Sequence, residues 1–249
     1  MSAALRTENL SRSFGALVAV DGVSLALPVG ARHALIGPNG AGKTTLINLL
    51  TGVLEPSAGD VYLGDERISA LGPHERVKRG IARTFQVTNL FPGLTVMESM
   101  LLAIHERNGA GGVWHRDYRD RHHDIEEARA LLAQLRLEAD AGNVTSRLPY
   151  GRQRVVEIAL ALATRPRILL LDEPAAGIPS GDSAEVLGVV QALPRDVTML
   201  IIEHDMGLVF RFAERITVLV AGRILMEGTP EEVARDERVK AVYLGAEAA

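Results

Sequence analysis

Cysteine is absent from this chain of 249 residues, which removes disulfides, thiolate metal sites and thiol nucleophiles together. The redox compartment stays open and agrees with the cytosol. Long apolar runs are missing as well. No stretch approaches the roughly 18 apolar residues that a membrane span needs, so any membrane role must come through partner subunits. The start, Met1-Ser2-Ala3-Ala4-Leu5-Arg6-Thr7-Glu8, meets a charge pair before the apolar core of a secretion signal can form. Excess positive charge is also lacking: 27 Lys and Arg stand against 31 Asp and Glu, a net charge of −4, with a pI near 6.0. Nothing in that balance pulls the whole molecule toward nucleic acid. Internal repeats and low-complexity linkers are absent too. What remains is ordinary globular usage, 47% hydrophobic and 23% charged, in a chain long enough to bury a large core.

The most informative feature present is Gly37-Pro38-Asn39-Gly40-Ala41-Gly42-Lys43-Thr44, which fits G-x-x-x-x-G-K-[ST] at every fixed position. It follows the apolar stretch His33-Ala34-Leu35-Ile36 and precedes Thr45 and Leu46-Ile47-Asn48-Leu49-Leu50. Strand, tight loop and helix are the context the pattern needs. Successive backbone N–H groups and the positive end of the helix dipole then converge on one anionic pocket. Glycine lets the backbone turn sharply and approach phosphate oxygens. These mechanics predict Lys43 on the β- and γ-phosphates of a nucleoside triphosphate and the Thr44 hydroxyl on Mg²⁺.

A second motif separates binding from turnover. Ile168-Leu169-Leu170-Leu171 is a fully apolar run ending in Asp172 and Glu173, the pattern of a strand buried on both faces. In open α/β sheets, ligands lie beyond the carboxyl ends of the strands, so both acids should face the phosphates. Asp172 suits the Mg²⁺ shell, and Glu173 suits orienting and deprotonating the water that attacks the γ-phosphate. A third apolar run, Thr198 to Ile202, ends in Glu203-His204-Asp205. His204 gains weight as a γ-phosphate contact because two other strands point their ends at the same place.

For organisation, Leu17 to Val20 and Val23 to Leu27 read as short β segments joined by an Asp21-Gly22 turn, and Asp60 to Gly64 as another. Thr95 to Arg107 and Asp124 to Leu137 carry helical spacing, with Gly109 to Gly112 as a turn between them. From Pro166 onward, strands and helices alternate through Ser183–Leu193, Val197–Ile202, Met206–Glu214 and Ile216–Val220. That alternation predicts an α/β fold with a largely parallel sheet. Residues 1–86 and 166–249 would form the core of a single domain, 1–249, with 87–165 as a helical insertion. His122 and His123 point to different faces of a helix and read as solvated. Asp117 through Arg129 reads as a solvated helix face, and Arg76 to Arg79 as a short basic cluster.

The cradle, Gln86, Leu148-Pro149-Tyr150-Gly151-Arg152-Gln153, Ile168 to Glu173 and His204 occur in an order that resembles an ABC-transporter ATP-binding subunit over nearly the whole chain. Within that family, Ala82 to Gln86, Leu90 to Val96, Asp172 to Gly177, and Glu227-Gly228-Thr229-Pro230 through Tyr243-Leu244-Gly245 resemble the branched-chain, hydrophobic amino-acid uptake group. The resemblance implies a P-loop NTPase, RecA-like core with an N-terminal antiparallel β subdomain and an inserted α-helical subdomain. It further implies ATP and Mg²⁺ as cofactors and a second ATP-binding subunit, identical or different, facing this one head to tail. Two integral-membrane permease subunits, and a solute-binding protein acting indirectly, complete the implied assembly at the cytoplasmic face of the inner membrane, with no nucleic acid. Gln86 would join Thr44 and Asp172 around the metal and link the site to the permease. Phe14 falls where such proteins place an aromatic against adenine. Urea or short amides are the alternative cargo, and a non-transport ABC ATPase the alternative class.

Two positions depart from the family pattern. The usual Leu-Ser-Gly-Gly-Gln signature is Leu148-Pro149-Tyr150-Gly151-Arg152, so the serine hydroxyl for the partner's γ-phosphate is missing, and proline supplies neither hydroxyl nor N–H. Gly151 keeps the close backbone approach, and Arg152 is expected to offset the loss with charge. Pro179 stands where the family places an aspartate that couples the two sites. Both departures predict a weaker composite site on this chain's signature side.

Overall fold

The computed structural model describes residues 3–84, 90–109, 118–178 and 180–246, without the side chains of 118–121, 180–182 and 244–246. The chain divides into two units: Met1–Arg83, Arg167–Glu173 and Pro194–Ala249 form the first, and Thr84–Pro166 with Pro174–Leu193 the second. Sequence pattern assigned 174–193 to the core. It falls instead in the second unit, where a helix at its heart packs on the helix that follows the signature loop.

The first unit begins with β1 (Ala3–Phe14), β2 (Leu17–Val23), β3 (Ala26–Pro28) and β4 (Arg32–Ile36). Then come α1 (Lys43–Thr51), β5 (Ala58–Leu63), β6 (Glu66–Arg67), α2 (Pro73–Lys78) and β7 (Ile81–Arg83). Helices α3 (Val96–Arg107), α4 (Tyr118–Gln134) and α5 (Tyr150–Ala163) make the second unit. The chain returns through β8 (Ile168–Asp172), contributes α6 (Ser180–Gln191) to the second unit, and closes the first with β9 (Thr198–Ile202), α7 (Met206–Phe212), β10 (Arg215–Val220), β11 (Arg223–Gly228), α8 (Pro230–Arg235) and α9 (Glu237–Ala246).

The six-stranded sheet runs β11-β10-β4-β9-β8-β7. Every pairing in it is parallel except β10 with β11. Its central strands β4, β8 and β9 are buried at every residue, as strands covered on both faces are. A second, antiparallel sheet orders β2-β1-β5-β6, with β3 also on β1. Leu5, Leu10, Leu27 and Val61 from this sheet, Leu35, Leu170 and Leu200 from the other, and Leu46, Ile47, Leu49 and Leu50 of α1 form one apolar core.

The Asp21-Gly22 pair does not turn the chain. It lies inside β2, where Gly22 takes φ 64 and the pairing with β1 shifts register nearby, as a bulge does. The basic cluster at Arg76 has a structural role. Its guanidinium is buried and donates to the carbonyls of Leu49, Leu50, Ser69 and Leu71, so it caps the carboxyl end of α1, where a cation also suits the helix dipole. Burial pulls its pKa down to about 10. In the second unit, the described side chains of the expected solvated face, 122–129, are not all solvated. Asp124 is buried, accepts from Asn108 Nδ2 at 3.1 Å and faces His105, while Glu127 takes both Arg107 nitrogens at 2.6 and 2.7 Å. His122 and His123 are exposed.

Candidate functional site

In the first unit, three parallel strands end at one level because of their register. Ile202 of β9 pairs with Leu35 of β4 on one side and with Asp172 of β8 on the other. The chain therefore leaves β4 into Gly37, β9 into Glu203 and His204, and β8 into Glu173 along a single edge. With about 5 Å between neighbouring strands, the cradle strand and the carboxylate strand stand about 10 Å apart, a gap suited to a polyphosphate.

The cradle is built by close approach. A Cβ at Gly37 would sit 2.1 Å from the Leu219 carbonyl, and one at Gly42 2.3 Å from that of Ala19. Gly42 also takes φ 100 as the cap of α1, where an L side chain is strained. Ala41 is buried, Pro38 half-buried, and Asn39 and Gly40 are exposed at the loop tip. Lys43 Nζ donates to the carbonyls of Gly37 at 2.7 Å and Pro38 at 3.0 Å, arching over its own loop. Burial lowers its pKa, while Glu173 and Asp172 oppose that shift with their charge. The ammonium therefore feels both acids. Thr44 is exposed and Thr45 half-buried on the first turn of α1, whose N-terminal N–H groups point into the loop.

Asp172 is 6% exposed and bonded by Arg83 Nη2 at 2.7 Å. Glu173 takes φ 46, a left-handed conformation uncommon outside glycine, and its N–H donates to the Ile202 carbonyl at 3.0 Å. Strained backbone of this kind gathers at functional sites. Its carboxylate is 21% exposed and lies 4.0 Å from Nδ1 of His204, which is 65% exposed. An exposed imidazole beside a half-buried acid can reach a ligand beyond the strand ends. Among the described residues, no group of three His, Cys, Asp or Glu can hold a metal by itself. One carboxylate and one hydroxyl, all hard oxygen, instead fit a divalent cation whose remaining ligands are phosphates and waters. Gln86 lies outside the described residues.

Phe14 is 43% exposed at the end of β1, with the Arg12 guanidinium 4.7 Å from its ring centroid. One face of the ring is thus held by a cation–π contact.

The second unit carries the signature segment. Pro149 is the cap of α5 and makes no side-chain capping bond. Leu148 and Gly151 are buried and Tyr150 is exposed, with the Tyr150 ring over Gly177, 3.5 Å from the place of a Cβ there. Arg152, expected to offset the missing hydroxyl with charge, is paired inside its own unit. Its guanidinium bonds Asp140, Glu185 Oε1 at 2.7 Å and the Arg136 carbonyl at 2.5 Å. Two carboxylates within the same unit neutralise it. Pro179 lies outside the described residues.

The cradle, the carboxylate strand and the order of motifs coincide with a family model: residues 20–176 match the one described as ABC transporter. The chain belongs to the ABC transporter ATP-binding family. Residues 223–249 match a second model, described as branched-chain amino acid ATP-binding cassette transporter. The cassette is 38% identical to the high-affinity branched-chain amino acid transport ATP-binding protein BraF of Pseudomonas aeruginosa, over 97% of each chain. It is equally similar to LivG of Escherichia coli, again 38% over 97% of each. Among solved structures, it superposes on the ADP conformation of an ATP-binding cassette of an ABC transporter with a TM-score of 0.85 and 33% identity, covering 98% of this chain and 99% of the other. A dimeric bacterial ABC transporter cassette gives 0.76 and 26%, covering 91% and 98%.

Sequence pattern missed several residues around this site. Arg83 and Asn48 are polar partners whose meeting depends on pairing β7 beside β8, and three-residue β7 leaves no periodic signal. Tyr243 of α9 is half-buried; burial pushes its phenol up to about 12, with the Gly37 backbone acting the other way. That reach from the carboxyl end of the chain to the cradle follows only from the tertiary fold.

Proposed function

We propose that this cassette is the ATP-hydrolysing subunit that powers an importer of branched-chain or other hydrophobic amino acids. The observation that carries the choice of cargo is the match of residues 223–249 to the branched-chain cassette model, supported by the relatives whose names carry that transport activity. In this reading the chain sits peripherally at the cytoplasmic face of the inner membrane, on two permease subunits, paired with a second ATP-binding subunit and supplied indirectly by a solute-binding protein. No helix among the described residues is long and apolar enough to cross a membrane, so the permease supplies the spans.

The chemistry follows from the edge where the strands end. Backbone N–H groups of Gly40 to Thr44 and the ammonium of Lys43 bind the β- and γ-phosphates of ATP. The Thr44 hydroxyl and Asp172, with Gln86, would hold Mg²⁺, which when bound neutralises phosphate charge. Glu173, fixed by its left-handed backbone, orients the attacking water and takes its proton, while His204 stabilises charge on the γ-phosphate. Phe14 stacks on adenine with the face that Arg12 does not cover. Leu148 to Arg152 close the partner's site, and with Pro149 in place of a hydroxyl that closure is the weaker of the two.

Replacement of Glu173 by Gln tests the assignment. Binding of ATP should persist and a closed dimer accumulate, while phosphate release falls by about 10²–10⁴-fold, the range for a general base. Phosphate release at the wild-type rate rejects it. ATP-dependent leucine uptake by vesicles carrying the assembled importer tests the cargo, with urea as the competing solute.

A further inference from the structure

Arg83 stands outside the proposed chemistry, yet it is the group that holds the acid read as a metal ligand. Its side chain is 11% exposed, Nη2 donates to Asp172 Oδ2 at 2.7 Å, and Nη1 donates to Asn48 Oδ1 at 2.5 Å. Asn48 stands one turn along α1 from Thr44 (Thr44 + 4), on the same face of the helix. One guanidinium therefore ties the carboxyl end of β8 to the helix that presents the Thr44 hydroxyl. β7 places it there, since Arg83 pairs with Leu170 in the parallel ladder, and its rigid fork suits two acceptors in different directions.

We propose that Arg83 is a positioning residue that serves as the chain's own cation for Asp172. It holds the buried carboxylate in place across from the helix that carries Thr44, and it competes with a divalent cation for the same carboxylate. A carboxylate this buried is costly without a positive partner, so Arg83 secures the site before nucleotide arrives. By the same contact it lowers the affinity for Mg²⁺ and ties metal entry to loosening of the β7–β8–α1 bridge. The proposal rests on the reading of Asp172 as a metal-site acid.

The test is a binding measurement, made on the full chain in the Glu173→Gln background so that ATP is not consumed. ATP affinity is measured with excess EDTA and across a Mg²⁺ titration, and the ratio of the two affinities gives the Mg²⁺-dependent gain. Arg83→Gln should enlarge that gain by about threefold to a hundredfold, the range for groups that share one partner, and should lower the melting temperature in EDTA more than in Mg²⁺ with ATP. Arg83→Lys, which keeps the charge but not the fork, should fall between, and it carries the test alone if the Gln variant does not fold. A gain equal to or smaller than that of the parent overturns the proposal. Asp172→Asn separates the two readings. If it keeps the full Mg²⁺-dependent gain, the assignment of Asp172 fails. If it loses the gain while Arg83→Gln leaves it unchanged, only the role of Arg83 fails.

Discussion

Acidification should destabilise this cassette through one residue of the strand that carries the cradle. His33 is buried in β4, its Nε2 2.8 Å from Thr217 Oγ1 of β10. Nδ1 is buried and has no hydrogen-bond partner among the described residues. Protonation would add a charge and a second N–H with no acceptor, and burial accordingly lowers the pKa from 6.5 to about 4, with Glu227 opposing and Arg215 reinforcing that shift. The sign follows: the fold prefers neutral imidazole, so the penalty is absent above the unfolded value, grows as pH falls through it, and saturates below about 4. A shift of about 2.5 units corresponds to roughly 3 kcal/mol at saturation, and about 2 kcal/mol is already lost at pH 5. Urea unfolding of the wild type and of His33→Gln, which keeps a nitrogen near the Nε2 position, at pH 7.5 and pH 5 isolates the effect, because the other titrating groups are common to both. The wild type should lose about 2 kcal/mol more than the variant between the two pH values. Equal losses would refute the account.

Two further outcomes follow from geometry. Arg76→Met strips the carbonyls of Leu49, Leu50, Ser69 and Leu71 of one buried donor group, and should cost about 1.5–3 kcal/mol, the range for hydrogen bonds to a charged group. Calorimetry should show a fall in melting temperature of roughly 3–12 °C, and a fall under about 2 °C would exclude the capping role. Gly42→Ala places a methyl group 2.3 Å from the Ala19 carbonyl at a left-handed position. It should weaken ATP binding at least tenfold, about 1.4 kcal/mol, in equilibrium titrations, and unchanged affinity would mean that the loop accommodates the methyl group.

Much of the site was legible in the residues themselves. The cradle from Gly37 to Thr44 is a local device whose glycines, lysine and hydroxyl act within one turn, so spacing alone exposes it. The apolar runs of β8 and β9 announce strands buried on both faces, and α3 begins at the expected place because Thr95 and Glu98 form a capping box. β1 escaped notice although it is the longest strand, since Arg6, Thr7, Glu8, Asn9 and Ser11 give it a mixed pattern and its pairing with β2, β3 and β5 supplies the stability. Arg152 looked like spare charge for the same reason in reverse: its carboxylate partners lie 12 and 33 residues away.

By itself, then, the sequence determined that a phosphate cradle precedes a helix and that acids end a buried strand, because those features need only neighbours along the chain. Tertiary structure decided that β9 stands between β4 and β8 and brings their ends level, that Arg83 reaches Asp172, and that Arg152 is already paired. Each of those depends on which distant segments lie side by side, and that is set by the burial of apolar faces against one another rather than by any local spacing.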